Sequence, residues 1–230
     1  MSDGYHPPLE EYLEAIHSLG EEGTPVIQAR IAERLHRSAP SVSEMLDRLQ
    51  ADGYVHRSGR RVELTDSGDQ VARSVVRKHR LAERLLVDVI GLEWHKAHVE
   101  AGRWEHVISD DVEARLVKLL GNPLTCPHGN PIPARSDAGS HEVPARQAMA
   151  GPPHVPLSTV EPGASVRLER ITEELELDMT SLILLDKHGF RPGASATVLS
   201  NDGGSITLQL DGGVISLDGP LCRQLYVTTC

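Results

Sequence analysis

The chain has 230 residues, of which 39% are hydrophobic and 24% charged, and a formal net charge of −10. That length allows one or two domains with real cores, and the composition excludes a collagen-like or wholly disordered polymer. No apolar run approaches the ~20 residues that cross a bilayer, and the first residues carry acids where a secretory signal would carry bases. Cys126, Cys222 and Cys230 lack the spacing of a disulfide framework or a zinc pair. A cytoplasmic protein without a membrane span is expected.

The overall acidity hides a local excess of the other sign. Between Thr24 and Arg61 seven arginines face four acids, a net of +3, and phosphate binding requires such local positive potential. Leu9 to Leu19 places apolar residues at helical spacing and predicts a first helix. After Gly23-Thr24-Pro25, the segment IQARIAERL predicts a second. Ser38 then stands as N-cap ahead of SVSEMLDRLQADGY, with Pro40 tolerated in the first turn, where no intrahelical donor is lost. Two helices joined by so short a turn have helix-turn-helix spacing. YVHRSGRRVELT follows as two short strands around Ser58-Gly59, a wing whose Arg57, Arg60 and Arg61 suit a phosphate backbone.

From Thr65 a long helical pattern runs to Gly91, another helix begins near Trp94, and a third is capped by Ser109 and stopped by Gly121. Apolar faces this wide need a partner, and a two-fold dimer on a palindromic operator is the natural use. Asn122 to Gly163 is rich in proline and reads as a linker. Beyond it, ASVRLERI, SATVLSN, SITLQL, GVISL and RQLYVTT predict a small antiparallel barrel.

Three residue groups on three helices have metal-ligand spacing. Glu11 and Glu14 are three apart, so both carboxylates leave one side of the first helix. His79 and Glu83 share a face of the long helix, and His98, Gly102, Glu105 and His106 fall in one stripe of the next. Singly, acids at a helix start or a lone helical histidine are ordinary structure; together, with a winged helix-turn-helix between the first group and the second, they point to metal. Cys126-Pro127-His128 stays outside the expected ligand set.

HRLAERLL, EAGRWEHV, ARIAERL with its successor SAPSVSEML, and GNPIP together resemble the diphtheria-toxin-repressor family of iron- and manganese-dependent regulators. The resemblance implies a mainly α chain with a small β domain. It divides into a winged helix-turn-helix over 1–65, a helical metal-binding and dimerisation domain over 66–133, a Pro/Gly-rich linker over 134–163 and an SH3-like barrel over 164–230. It further implies a metal-activated repressor dimer on double-stranded DNA, with no catalytic residues and no small-molecule substrate. Its primary regulatory site would be made by Glu11, the residue at Gly102, Glu105 and His106. Its ancillary site would be made by His79, Glu83 and His98, completed from the barrel by Glu173 and Glu176. Iron-responsive members carry methionine and cysteine where Glu11 and Gly102 stand, whereas manganese-responsive members carry carboxylates at the positions of Glu11 and Glu14. Gly102 can offer only a carbonyl oxygen.

Oxygen-rich, sulfur-free sites suit hard Mn(II), so Mn(II) is expected ahead of Fe(II), with Zn(II) as an intruder. An ion joining the first helix to the dimerisation helices would set the separation of the two reading heads at about 34 Å or another whole turn. On the DNA side, Ser38, Pro40, Ser41 and Ser43 are expected near bases or phosphates, with Arg48 on the backbone and Glu44 as its intrahelical partner. Two rival readings are a winged-helix regulator that has lost metal control through Gly102, and a carboxylate and histidine metalloenzyme. The second lacks any HExxH, phosphate-cradling or nucleophile motif.

Overall fold

The computed structural model describes residues 9–135 and 154–229, which fall into two compact units. One contains Met1–Arg77 with Pro133–Glu142, the other Lys78–Ile132 with Val143–Cys230. The boundary lies within a single helix.

In the first unit, α1 (Leu9–Glu21), α2 (Gln28–Arg34) and α3 (Ala39–Ala51) precede the strands β1 (Val55–Ser58) and β2 (Arg61–Leu64). Periodicity places Tyr12, Leu13, Ile16, Ile31, Val42, Leu46 and Leu49 in one core with Val55 and Val62 of the hairpin. Ser38 caps α3 as expected, its Oγ accepting from Ser41 N, and Pro40 sits in the first turn. β1 and β2 pair antiparallel from Val55 with Leu64 to Ser58 with Arg61. Helix α4 (Asp66–Arg84) starts against this hairpin. Gly68 is required there, because a Cβ would lie 2.0 Å from Tyr54 O.

In the second unit, α4 continues through a wider π-type stretch, Leu85–Ile90, and ends at Gly91 in the left-handed conformation, φ 79°. A tight turn at Trp94–Lys96 leads into α5 (Ala97–Trp104), and α6 (Asp110–Leu119) is capped by Ser109. Leu81, Ala82, Leu86, Ala101, Ile108, Leu116 and Ile132 form the helical core. The segment after α6 is strapped to α4: Arg84 Nε donates to Thr125 O (2.7 Å) and an Arg80 guanidinium NH to Pro131 O.

The C-terminal part is a six-stranded antiparallel sheet in the order β3-β8-β4-β5-β6-β7. The strands are β3 (Val155–Pro156), β4 (Ser165–Ile171), β5 (Ser195–Asn201), β6 (Ser205–Leu210), β7 (Gly213–Asp218) and β8 (Leu225–Thr229). The helical turn α7 (Glu173–Glu176), helix α8 (Met179–Lys187) and the short α9 (Gly219–Arg223) fill the connections. The linker expected over 134–163 is shorter at its C-terminal end. Val155 and Pro156 pair with Val227 and Tyr226, and Leu157 and Val160 enter the barrel core. A two-residue strand containing proline carries too little pattern to be read from sequence. Residues 136–153 of that expected linker lie outside the described residues.

Trp94 belongs to the barrel core although it lies between α4 and α5 in sequence. It is 2% exposed, and its indole N–H donates to Pro127 O at 3.0 Å. Burying an indole this fully brings one of the largest apolar contributions available to a side chain, so the helical segment and the barrel share a core.

Candidate metal centre

Helix α4 aims His79 and Glu83, one turn apart, into the interior of the second unit, and α5 brings His98 to meet them. His79 Nε2 lies 3.2 Å from Glu83 Oε1 and 3.0 Å from His98 Nδ1. His98 Nδ1 is 3.3 Å from Glu83 Oε1 and 2.8 Å from Glu176 Oε2, the latter carried in by α7 of the barrel. Ligand atoms of His79, Glu83, His98 and Glu176 thus lie within 4.8 Å of one another.

His128 closes the other side. Its Nδ1 is 3.1 Å from Glu83 and 3.2 Å from Glu176, and its Nε2 faces Trp94 O at 3.3 Å. That carbonyl accepts the Nε2 proton in the neutral tautomer and leaves Nδ1 as a ligand atom. Glu83, Cys126 and His128 form a second group within the same reach. The turn bearing them is fixed by Gly129 at φ 88°, where a Cβ would lie 1.9 Å from Glu169 O. Asn130 Nδ2 donates to Glu176 Oε1 at 2.6 Å, turning the other oxygen toward the histidines.

The electrostatics describe a pocket that demands positive charge. Burial raises the cost of an ionised Glu83, but the His128 and His79 imidazoles beside it hold its carboxyl well below the usual range. Burial likewise opposes protonation of His98, yet the adjacent Glu176 carboxylate and its hydrogen bonds win, and the group is held up at about 9. Against the same burial, Glu83 and Glu105 raise His79, and Glu176 and Glu83 raise His128. Buried carboxylates are kept ionised only by cations beside them. Glu83 Oε2 is buried with no hydrogen-bond partner among the described residues. A divalent ion fits this donor set: it would supply the charge otherwise held as imidazole protons and would satisfy the orphaned oxygen.

Glu105 is also in this unit, 3% exposed. Its Oε2 is 2.5 Å from His79 Nδ1 and its Oε1 3.0 Å from His106 Nε2. Burial pushes its carboxyl up, but hydrogen bonds from His106 and His79 bring it down to about 2. His79 therefore touches Glu83 with one nitrogen and Glu105 with the other. Gly102 lies one turn before on α5, and a Cβ there would meet nothing within 4 Å. Glu11 and Glu14 are on α1 in the first unit, both half-buried.

The structure thus brings His79, Glu83, His98 and Glu176 together, and pairs Glu105 with His106. Glu173 is placed differently from the expectation. Arg80 Nη2 donates to Glu173 Oε1 at 2.7 Å, so this carboxylate serves as a counterion of α4 and stands outside the ligand group. The sequence reading also missed His128 and Cys126. The one available signal was the Cys-Pro-His triplet, whose meaning depends on the strap that folds it against α4. Cys126 corrects the sulfur-free description as well, although burial, reinforced by Glu83, pushes its thiol up to about 12.

On the first unit, Ser38, Pro40, Ser41 and Arg48 are exposed along the start and outer face of α3, Ser43 is half-buried, and Arg60 and Arg61 are exposed at the hairpin tip. Ser38 Oγ is committed to its cap. Arg57 is turned back onto Asp47 of α3 at 2.5 Å, which fastens the hairpin to the helix. Arg48 meets Asp52 at 3.8 Å, one turn on, rather than Glu44.

Three family profiles match this chain. Residues 6–62 match the iron-dependent repressor N-terminal DNA-binding domain, residues 65–134 the iron-dependent repressor metal-binding and dimerisation domain, and residues 155–229 the FeoA domain. The iron-dependent repressor IdeR of Mycobacterium tuberculosis is 45% identical over 206 residues, covering 88% of each chain. The diphtheria toxin repressor of Corynebacterium efficiens is 41% identical over 219 residues, covering 95% of this chain and 94% of the other. Among solved structures, a manganese-dependent transcriptional repressor in complex with manganese superposes with a TM-score of 0.83 at 30% identity, covering 96% of this chain and all of the other.

Proposed function

The chain belongs to the iron-dependent repressor family of DNA-binding transcriptional regulators, which are not enzymes, and from that premise we propose that it is a homodimeric repressor of metal-homeostasis genes. It acts in the cytoplasm, binds palindromic operator DNA, and is activated by Mn(II) in preference to Fe(II). The observation that carries metal dependence is the buried meeting of His79, Glu83, His98 and Glu176, with the second Glu83 oxygen, Oε2, buried and lacking a hydrogen-bond partner among the described residues.

His79, Glu83, His98 and Glu176 hold the ancillary ion, with His128 and Cys126 at its edge. Glu11, Glu14, Glu105 and His106, with the backbone at Gly102, form the regulatory set. This assignment is supported by the residue pattern and by the carboxylate-rich chemistry that suits manganese. When bound, the ion supplies a fixed divalent charge at each set. The protein's own groups do the rest. Asn130 orients Glu176, Arg80 pins both the strap and Glu173, and Glu105 joins His79 to His106. Ser41, Ser43, Arg48, Arg60 and Arg61 meet the DNA, Ser38 and Pro40 set the start of the reading helix, and Arg57 holds the hairpin.

The test is fluorescence anisotropy on a palindromic fragment from upstream of the gene, after chelation and then with Mn(II), Fe(II) under reducing conditions or Zn(II). Binding should require metal and respond most strongly to Mn(II). Glu105→Ala and His106→Ala should each abolish the response while circular dichroism stays unchanged. Operator binding indifferent to chelator would instead favour a regulator freed from metal by Gly102, and failure to bind any such fragment would remove the repressor reading.

A further inference from the structure

Helix α8 is apolar on two sides. Leu182 and Leu185 are buried in the barrel core, while Met179 and Ile183, four residues apart and so on one line of the helix, are 39% and 46% exposed. Asp178 caps this helix by accepting from Thr180 N and Ser181 N, so its outer face is presented by a well-formed element. A surface helix normally shows one apolar stripe, facing its own core, so a second apolar line facing outward is unusual. Met179 also lines an open groove of about 390 Å³ whose other walls include Ile90, Leu92, Val99 and Trp104. Of these, Ile90 is 57% and Val99 43% exposed.

Those other walls belong to the segment that matches the metal-binding and dimerisation profile, residues 65–134. The apolar walls of the groove therefore reach from that segment onto the barrel at Met179. The charged residues among its walls are already paired within the chain, Lys96 with Glu93 at 2.7 Å and Arg103 with Glu100 at 2.6 Å. A patch whose charges are internally balanced can meet its own two-fold copy without like-charge repulsion, which an isologous contact requires.

We infer that the outer face of α8, through Met179 and Ile183, is part of the interface with a second copy of this chain, so that the barrel takes part in dimerisation. The inference rests on the homodimer reading above and adds the barrel to it. Met179 and Ile183 would lose their remaining exposure in such a contact, and two-fold symmetry counts each substitution twice.

Sedimentation equilibrium of the full chain, with and without Mn(II), tests it. Met179→Asp should weaken the dimer about tenfold or more, and Met179→Asp with Ile183→Asp more still. Met179→Leu should restore wild-type association. Leu199→Asp, which changes an exposed apolar residue on β5 outside the groove, should leave it unaltered. Far-ultraviolet dichroism reports that the variants remain folded. A wild-type dimer that Met179→Asp leaves equally tight overturns this inference alone. A wild-type chain that stays monomeric under all conditions overturns the homodimer reading and this inference with it.

Discussion

Gly102 offers the sharpest test of the regulatory site. It lies inside α5, where glycine costs a helix about 0.5–1 kcal/mol relative to alanine through its backbone entropy. Its backbone does not need glycine: its φ lies outside the left-handed region, and an added Cβ would meet no atom within 4 Å. Gly102→Ala should therefore stabilise the metal-free protein by that amount, raising the midpoint of thermal unfolding by roughly 1–4 °C. Gly102→Glu should give a comparable gain and also place a carboxylate one turn before Glu105 and His106. Calorimetric titration with Mn(II) should then show tighter binding for Gly102→Glu, by about tenfold or more for one added charged ligand, and no change for Gly102→Ala. If Gly102→Ala lowers the midpoint, some group occupies the space beside α5 and the reasoning fails. If Gly102→Glu leaves the metal isotherm unchanged, position 102 is not at the site.

Other consequences follow from the same geometry. Trp94→Ala should destabilise the second unit by about 3–5 kcal/mol, the usual cost of emptying a buried aromatic site, and should speed proteolysis of the barrel; equal digestion rates would show that Trp94 does not anchor it. In metal-free protein, His98 has its folded-state pKa raised to about 9, so its contribution is fully present below about 6.5. It is lost as pH rises through 9, and chelated protein should unfold in less urea at pH 9.5 than at pH 6.5. A midpoint that rises over that interval would contradict the pairing of His98 with Glu176. Glu176→Ala should weaken metal binding at the ancillary set by about tenfold or more, as expected for losing one of four ligands, whereas Glu173→Ala should leave affinity nearly unchanged. Equal effects from the two, read by isothermal titration, would return Glu173 to the ligand group.

The sequence determined what depends on local periodicity and spacing. The cap at Ser38, the reading helix, the arginine-bearing hairpin, the long helix with His79 and Glu83 one turn apart, and the five longer strands of the barrel are all set by neighbouring residues. Ligand pairs on a single helix are legible for the same reason, because 3.6 residues per turn places them whatever the remainder of the chain does. Tertiary structure decided which pairs meet across elements. Nothing local says that Arg80 takes Glu173 while Asn130 turns Glu176 inward, since both acids sit on one helical turn and differ only in what α4 and the strap present to them. Nor does any pattern announce that Cys126 and His128 arrive beside Glu83, or that Trp94 belongs to the barrel core. Those contacts join residues dozens of positions apart, and only packing, through desolvation and the pairing of buried charge, selects one partner over another.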